Sequence, residues 1–75
     1  MRFKIKNQLQ SVYEKYGKYA SAHEAVSVLR EEFEELWEEV KQKQLNFERL
    51  ESEIIDCIVV LEKMYNDIVK ERNGR

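Results

Sequence analysis

Apolar residues along this chain return every three or four positions, and the pattern is broken in two places. Ile5, Leu9, Val12 and Tyr16 recur at intervals of four, three and four, which lines one face of a helix from about Arg2 to Tyr16. Gly17 follows where a helix C-terminus favours a left-handed residue. Ser21-Ala22-His23-Glu24 then has the form of a Ser-x-x-Glu capping box, in which the hydroxyl and the carboxylate satisfy each other's free backbone N–H groups. A second helix is predicted from about Ala22 to Lys43, with Ala22, Val26, Leu29, Phe33, Leu36 and Val40 as its apolar stripe. KQKQLN makes the second turn, with Asn46 as N-cap and Leu45 and Leu50 spaced as a hydrophobic staple. A third helix is predicted from Phe47 to about Glu71, fraying into Asn73-Gly74-Arg75.

The third helix differs from the others in how far its apolar surface spreads. Phe47, Leu50, Ile54, Ile58, Leu61, Tyr65 and Ile68 form its expected core stripe, while Ile55, Cys57, Val59, Val60 and Met64 extend well around the circumference. Such a helix is normally covered on more than one side, which two companions in one chain do not easily do. The expectation is a homodimer or homotetramer through helix three, its paired chains forming a bundle of the four-helix type.

Composition strengthens the helical assignment and narrows the function classes. With 75 residues, two glycines, no proline and abundant Glu, Lys, Leu and Val, the chain reads as one all-α domain, 1–75. A net charge of −2 provides no field to gather nucleic acid or an anionic membrane, so neither is an expected partner. One cysteine, no signal-peptide layout and no long apolar run fit a cytoplasmic protein.

The candidate chemistry lies in carboxylates. EEFEELWEEV, residues 31–40, holds six glutamates. Glu32 and Glu35 are three apart and share a face at the border of the apolar stripe, whereas Glu31, Glu34 and Glu38 point outward as solvated charge. Glu53 and Asp56 repeat that spacing on the third helix, where Ile55, Cys57, Val59 and Val60 hem Asp56 in and no Lys or Arg stands one turn away. An ionised carboxylate there is costly unless something positive neutralises it. Antiparallel helices two and three would converge all four acids, a donor set that suits a hard divalent cation, Mg²⁺ first and Mn²⁺ compatible.

The order E31-E32-F33-E34-E35-L36, then eighteen positions from Glu35 to E53-I54-I55-D56, resembles the EExxE…ExxD signature of MazG-like all-α nucleoside triphosphate pyrophosphohydrolases. SAHEAVSVLREEFEELWEEVK is especially similar to short phage and bacterial members, and the resemblance covers about Ser21 to Met64. It implies a MazG-like fold, Mg²⁺ held by Glu32, Glu35, Glu53 and Asp56, and hydrolysis of nucleoside triphosphates to monophosphate and pyrophosphate. Glu31, Glu32 and Glu35 would be the catalytic acids, Glu31 supporting the ligands or orienting water. Many members carry a further helix with cations for phosphate or base; in this chain Lys63, Lys70 and Arg72 are the candidates for that charge, though each also suits an exposed position near a helix C-terminus. The rival expectation is a non-catalytic helical-bundle interaction module that keeps this fold.

Other residues have plain expectations. His23 caps or faces solvent, Trp37 is buried in a subunit interface, Tyr13, Tyr16 and Tyr19 edge the core, and Cys57 is a small buried apolar group.

Overall fold

The computed structural model describes residues 1–73, and these form helices and turns with no strand among them. Helix α1 spans Arg2–Tyr16 and ends as expected: Gly17 takes φ 72°, and its N–H donates to the Tyr13 carbonyl at 2.9 Å. Helix α2 spans Ala22–Val40. Its cap differs from a strict capping box in one arm. Ser21 Oγ accepts the Glu24 N–H at 3.1 Å, but Glu24 Oε1 accepts the N–H of Ala20, not that of Ser21, at 2.7 Å.

Helix α2 stops three residues before the expected Lys43 because its last turn tightens. The Gln42 N–H bonds the Glu39 carbonyl at 3.3 Å, and the Gln42 side-chain amide takes the Glu38 carbonyl at 2.8 Å, the acceptor a continuing α-turn would need. After the turn, Asn46 Oδ1 accepts the Arg49 N–H at 3.1 Å and starts helix α3, Phe47–Met64. The same helix runs on through a π-helical stretch, Tyr65–Lys70, and a last α-turn, Glu71–Asn73. The expected fraying at Gly74 and Arg75 lies outside the described residues.

Helix α3 is the spine, with α1 and α2 both packed on it. The buried apolar core is small: Ala25 from α2 with Ile55, Val59 and Val60 from α3. This splits the expected stripes, of which Ala22, Leu29, Leu36, Leu50, Ile58 and Ile68 are half-buried. Phe47, Ile54, Leu61 and Tyr65 are exposed, as are Val26, Phe33 and Val40 on α2, while the supposedly additional residues Ile55, Val59 and Val60 form the interior. Hydrophobic periodicity weights large residues, whereas the small Ala25 and the valines suit close approach of α2 to α3.

The other interior element is ionic. Lys63 is 1% exposed, and its Nζ lies 3.3 Å from Asp67 Oδ2 and 3.4 Å from the centre of the Tyr19 ring. Lys63 is therefore not one of the exposed C-terminal cations expected from sequence, although Lys70 and Arg72 are exposed. Asp67 also accepts the Tyr13 hydroxyl at 2.5 Å and the Tyr19 N–H at 2.8 Å. One carboxylate thus joins the end of α1, the first turn and the π-helical stretch. Burial alone would raise the Asp67 carboxyl, but its bonds to Tyr13, Tyr19 and Lys63 outweigh that and hold it below the usual range. Burial and the facing Asp67 carboxylate push the Tyr13 phenol up to about 12.

Replacing Asp67 by Ala leaves Lys63 buried without a counter-charge, and urea unfolding should show a loss of roughly 3–5 kcal/mol. Because the folded-state carboxyl titrates below 3.8, its contribution is present above that pH and lost as pH falls through the folded value, so the wild-type and Asp67→Ala melting curves should converge in acid.

Candidate metal centre

Helices α2 and α3 bring together the acids that the spacing selected, in an unequal way. Carboxylate oxygens of Glu32, Glu35 and Glu53 all lie within 4.8 Å of one another. Asp56 stands outside this trio, its Oδ1 accepting the Gln8 side-chain amide of α1 at 3.4 Å. The expected four-acid cluster is therefore three acids together and a fourth tethered beside them. Glu34 is exposed and Glu38 pairs with Lys41 at 2.9 Å, the solvated roles expected of them.

Glu31 does not simply face outward. It is exposed, but it lines a cleft of about 470 Å³ enclosed by all three helices. Gln8, Val12 and Tyr16 form the α1 side of that cleft, Glu24, Val28, Glu31 and Glu32 the α2 side, and Asp56, Val59, Val60 and Lys63 the α3 side. Lys18 and Tyr19 close the end at the first turn. A cleft of this volume is of small-molecule size. Its acids are Glu24, Glu31, Glu32 and Asp56; of its two lysines, Lys18 pairs with Glu71 and Lys63 with Asp67.

The acids repel one another. Burial first, then the charges of Glu35, Asp56, Glu53 and Glu31, push the Glu32 carboxyl up to about 7. Glu53 is raised by burial and by Glu35 and Asp56, and Asp56 by burial and Glu35. Glu53 Oε2 is buried and has no hydrogen-bond partner. A buried carboxylate oxygen without a donor, beside two further carboxylates, lacks a positive charge. Oxygen donors converging in this way fit a hard divalent cation, which Glu32, Glu35 and Glu53 would hold directly.

Sequence spacing missed three participants. Glu39 is half-buried and adds to the repulsion on Glu53; it lies four residues after Glu35 and seven after Glu32, a helix-face spacing that marks it. Gln8 and Lys18 come from outside the acidic stretches, and only tertiary packing brings them to the cleft. His23 is exposed, as expected of a cap-proximal histidine, and Tyr16 is exposed where a core edge was expected. Burial, then the charges of Glu32, Asp56, Glu53 and Glu35, pushes the half-buried Cys57 thiol up, in keeping with an unreactive packing residue.

A carboxyl whose folded-state value is raised stabilises the fold while protonated and loses that contribution as pH climbs. Cation-free protein should therefore melt at progressively lower temperature as pH rises from about 4.5 to 7, the span between the ordinary and shifted values for Glu32. Glu32→Gln should flatten that decline, and Asp56→Asn should leave metal-free stability unchanged or higher; scanning calorimetry across this range checks both.

Compared with known proteins, this chain matches no family model, no curated protein and no solved structure.

Proposed function

We propose that this protein is a Mg²⁺-dependent nucleoside triphosphate pyrophosphohydrolase that works as a homo-oligomer. The observation that carries the proposal is the unpartnered, buried Glu53 Oε2 within a trio of carboxylates, set beside a cleft whose far part holds Lys18 and Lys63. Acids that need a cation, in a small-molecule-sized cleft, suit a polyphosphate ligand bound through that cation; the two lysines of the cleft already have partners in the chain, Lys18 in Glu71 and Lys63 in Asp67. The EExxE…ExxD resemblance names the same residues and supports the reaction class.

A bound Mg²⁺ would neutralise charge on the phosphate oxygens. The chain's own residues divide the remaining work. Glu32, Glu35 and Glu53 would hold the cation, with Asp56, which lines the cleft, as a fourth donor. Glu31, exposed on the cleft wall, is placed to take a proton from the attacking water. Attack at the α-phosphorus breaks the bond to the bridging oxygen and releases pyrophosphate, leaving the monophosphate. Lys18, paired with Glu71 at the turn, and Lys63, committed to Asp67, would act on the phosphate chain from within those pairs.

Assembly rests on surface. The chain exposes 6094 Å², whereas a compact monomer of 9.1 kDa exposes roughly 4900 Å². The excess of about 1200 Å² is of the order that a stable interface buries. Val26, Phe33, Trp37 and Val40 on α2 and Phe47, Ile54, Leu61, Tyr65 and Val69 on α3 are exposed at helical spacing, and a second copy covers them. That face alone also serves a second reading, a non-catalytic bundle module, which the carboxylate trio does not require.

With Mg²⁺ and a panel of ribo- and deoxynucleoside triphosphates, pyrophosphate release should be measurable, and Glu53→Gln or Asp56→Asn should lower it by roughly 100-fold or more. If no triphosphate is cleaved and Mg²⁺ leaves the melting temperature unmoved, the module reading replaces the enzyme. Sedimentation should give at least twice the 9.1 kDa chain mass, with Leu61→Glu shifting the protein toward monomer.

A further inference from the structure

The geometry points to Gln8 as a positioning residue that competes with the cation for Asp56 and thereby couples cation loading to the seating of α1. This inference rests on the cation site proposed above. Asp56 Oδ1 is occupied by the Gln8 amide at 3.4 Å, and Asp56 is the one expected ligand outside the 4.8 Å trio. A carboxylate oxygen turned toward a cation beside Glu32, Glu35 and Glu53 no longer accepts from Gln8 in the same geometry.

The place of the bridge gives the competition a consequence. A second groove, of about 580 Å³, runs between the start of α1 and α3, lined by Lys4, Glu48, Glu51, Ser52 and Ile55. Among the described residues, Gln8 and Asp56 alone line both this groove and the 470 Å³ cleft, so their bridge is the partition between them. No residue of α1 is fully buried, and along its first half only Lys4–Glu51, an exposed pair at 2.7 Å, supplements Gln8 among the side-chain bonds to α3. Transfer of Asp56 to a cation therefore loosens this half of α1 and joins the two cavities. By linkage, breaking the Gln8–Asp56 bond favours the cation by the same factor by which the cation disfavours that bond.

Mn²⁺ serves as the probe on the full chain, with free ion counted by electron paramagnetic resonance and α1 followed by amide exchange. Gln8→Leu and Gln8→Ala, which lack the donor at an exposed position, should bind Mn²⁺ roughly three- to ten-fold more tightly than wild type. Mn²⁺ should speed exchange of residues 5–12 in wild type and leave the already faster variants unchanged. Equal Mn²⁺ affinity in wild type and variants, or α1 exchange indifferent to bound Mn²⁺, overturns the role of Gln8 while leaving the cation site standing. Failure of wild type to bind Mn²⁺ at all removes both.

Discussion

The buried contact between Lys63 and Asp67 is the constraint on which the arrangement of this small bundle depends. Helix α1 contributes no fully buried residue, so apolar packing alone fixes its position weakly. Its C-terminal end is placed by Tyr13 on Asp67, and the turn that follows is placed by the Tyr19 N–H on the same carboxylate. The charge on Asp67 is tolerable in the interior because Lys63 faces it, and the charge on Lys63 because Asp67 and the Tyr19 ring face it. The π-helical stretch around Asp67 fits this demand, since a widened turn redirects a side chain without ending the helix. The cleft between the three helices exists because this junction fixes α1 over α3 at one end.

Two electrostatic solutions therefore sit along one helix. Around Asp67 a carboxylate has donors on every side and is held in its charged form. About three to four turns earlier, Glu53 and Asp56 stand near Glu32 and Glu35, and proton uptake is favoured. The first arrangement is complete within the chain. The second is complete only with something positive added, which is the physical distinction between a structural ionic contact and a candidate ligand site. The spacing that produced the second pair says nothing of the first, because Lys63 and Asp67 at four residues apart are also a common surface pair.

The apolar residues show the same division. Helical periodicity identified three helices, both turns, the Gly17 stop and the Ser21 and Asn46 caps, since these depend on neighbours within about four positions. It placed the stripes of α2 and α3 only in part: Ala22, Leu29, Leu36, Leu50, Ile58 and Ile68 are half-buried, but Phe33, Phe47 and Leu61, which dominate any hydrophobic pattern by size, are exposed while Ala25, Val59 and Val60 are buried. The large set is left exposed on the chain.

By itself the sequence determined an all-helical chain, its element boundaries to within a few residues, and the two acidic pairs at i, i+3 spacing, because all of these follow from local backbone and side-chain geometry. Only the tertiary structure decided that Glu32, Glu35 and Glu53 meet while Asp56 is drawn aside, that Glu39 stands close to them, and that Lys63 is interior. Each of those outcomes depends on a residue beyond the reach of a local pattern: Gln8 on Asp56, Glu39 and Glu35 near Glu53 across the second turn, Tyr13 and Tyr19 about Asp67 and Lys63. Local periodicity carries no information about such partners, and the balance of charge at this site is set by them.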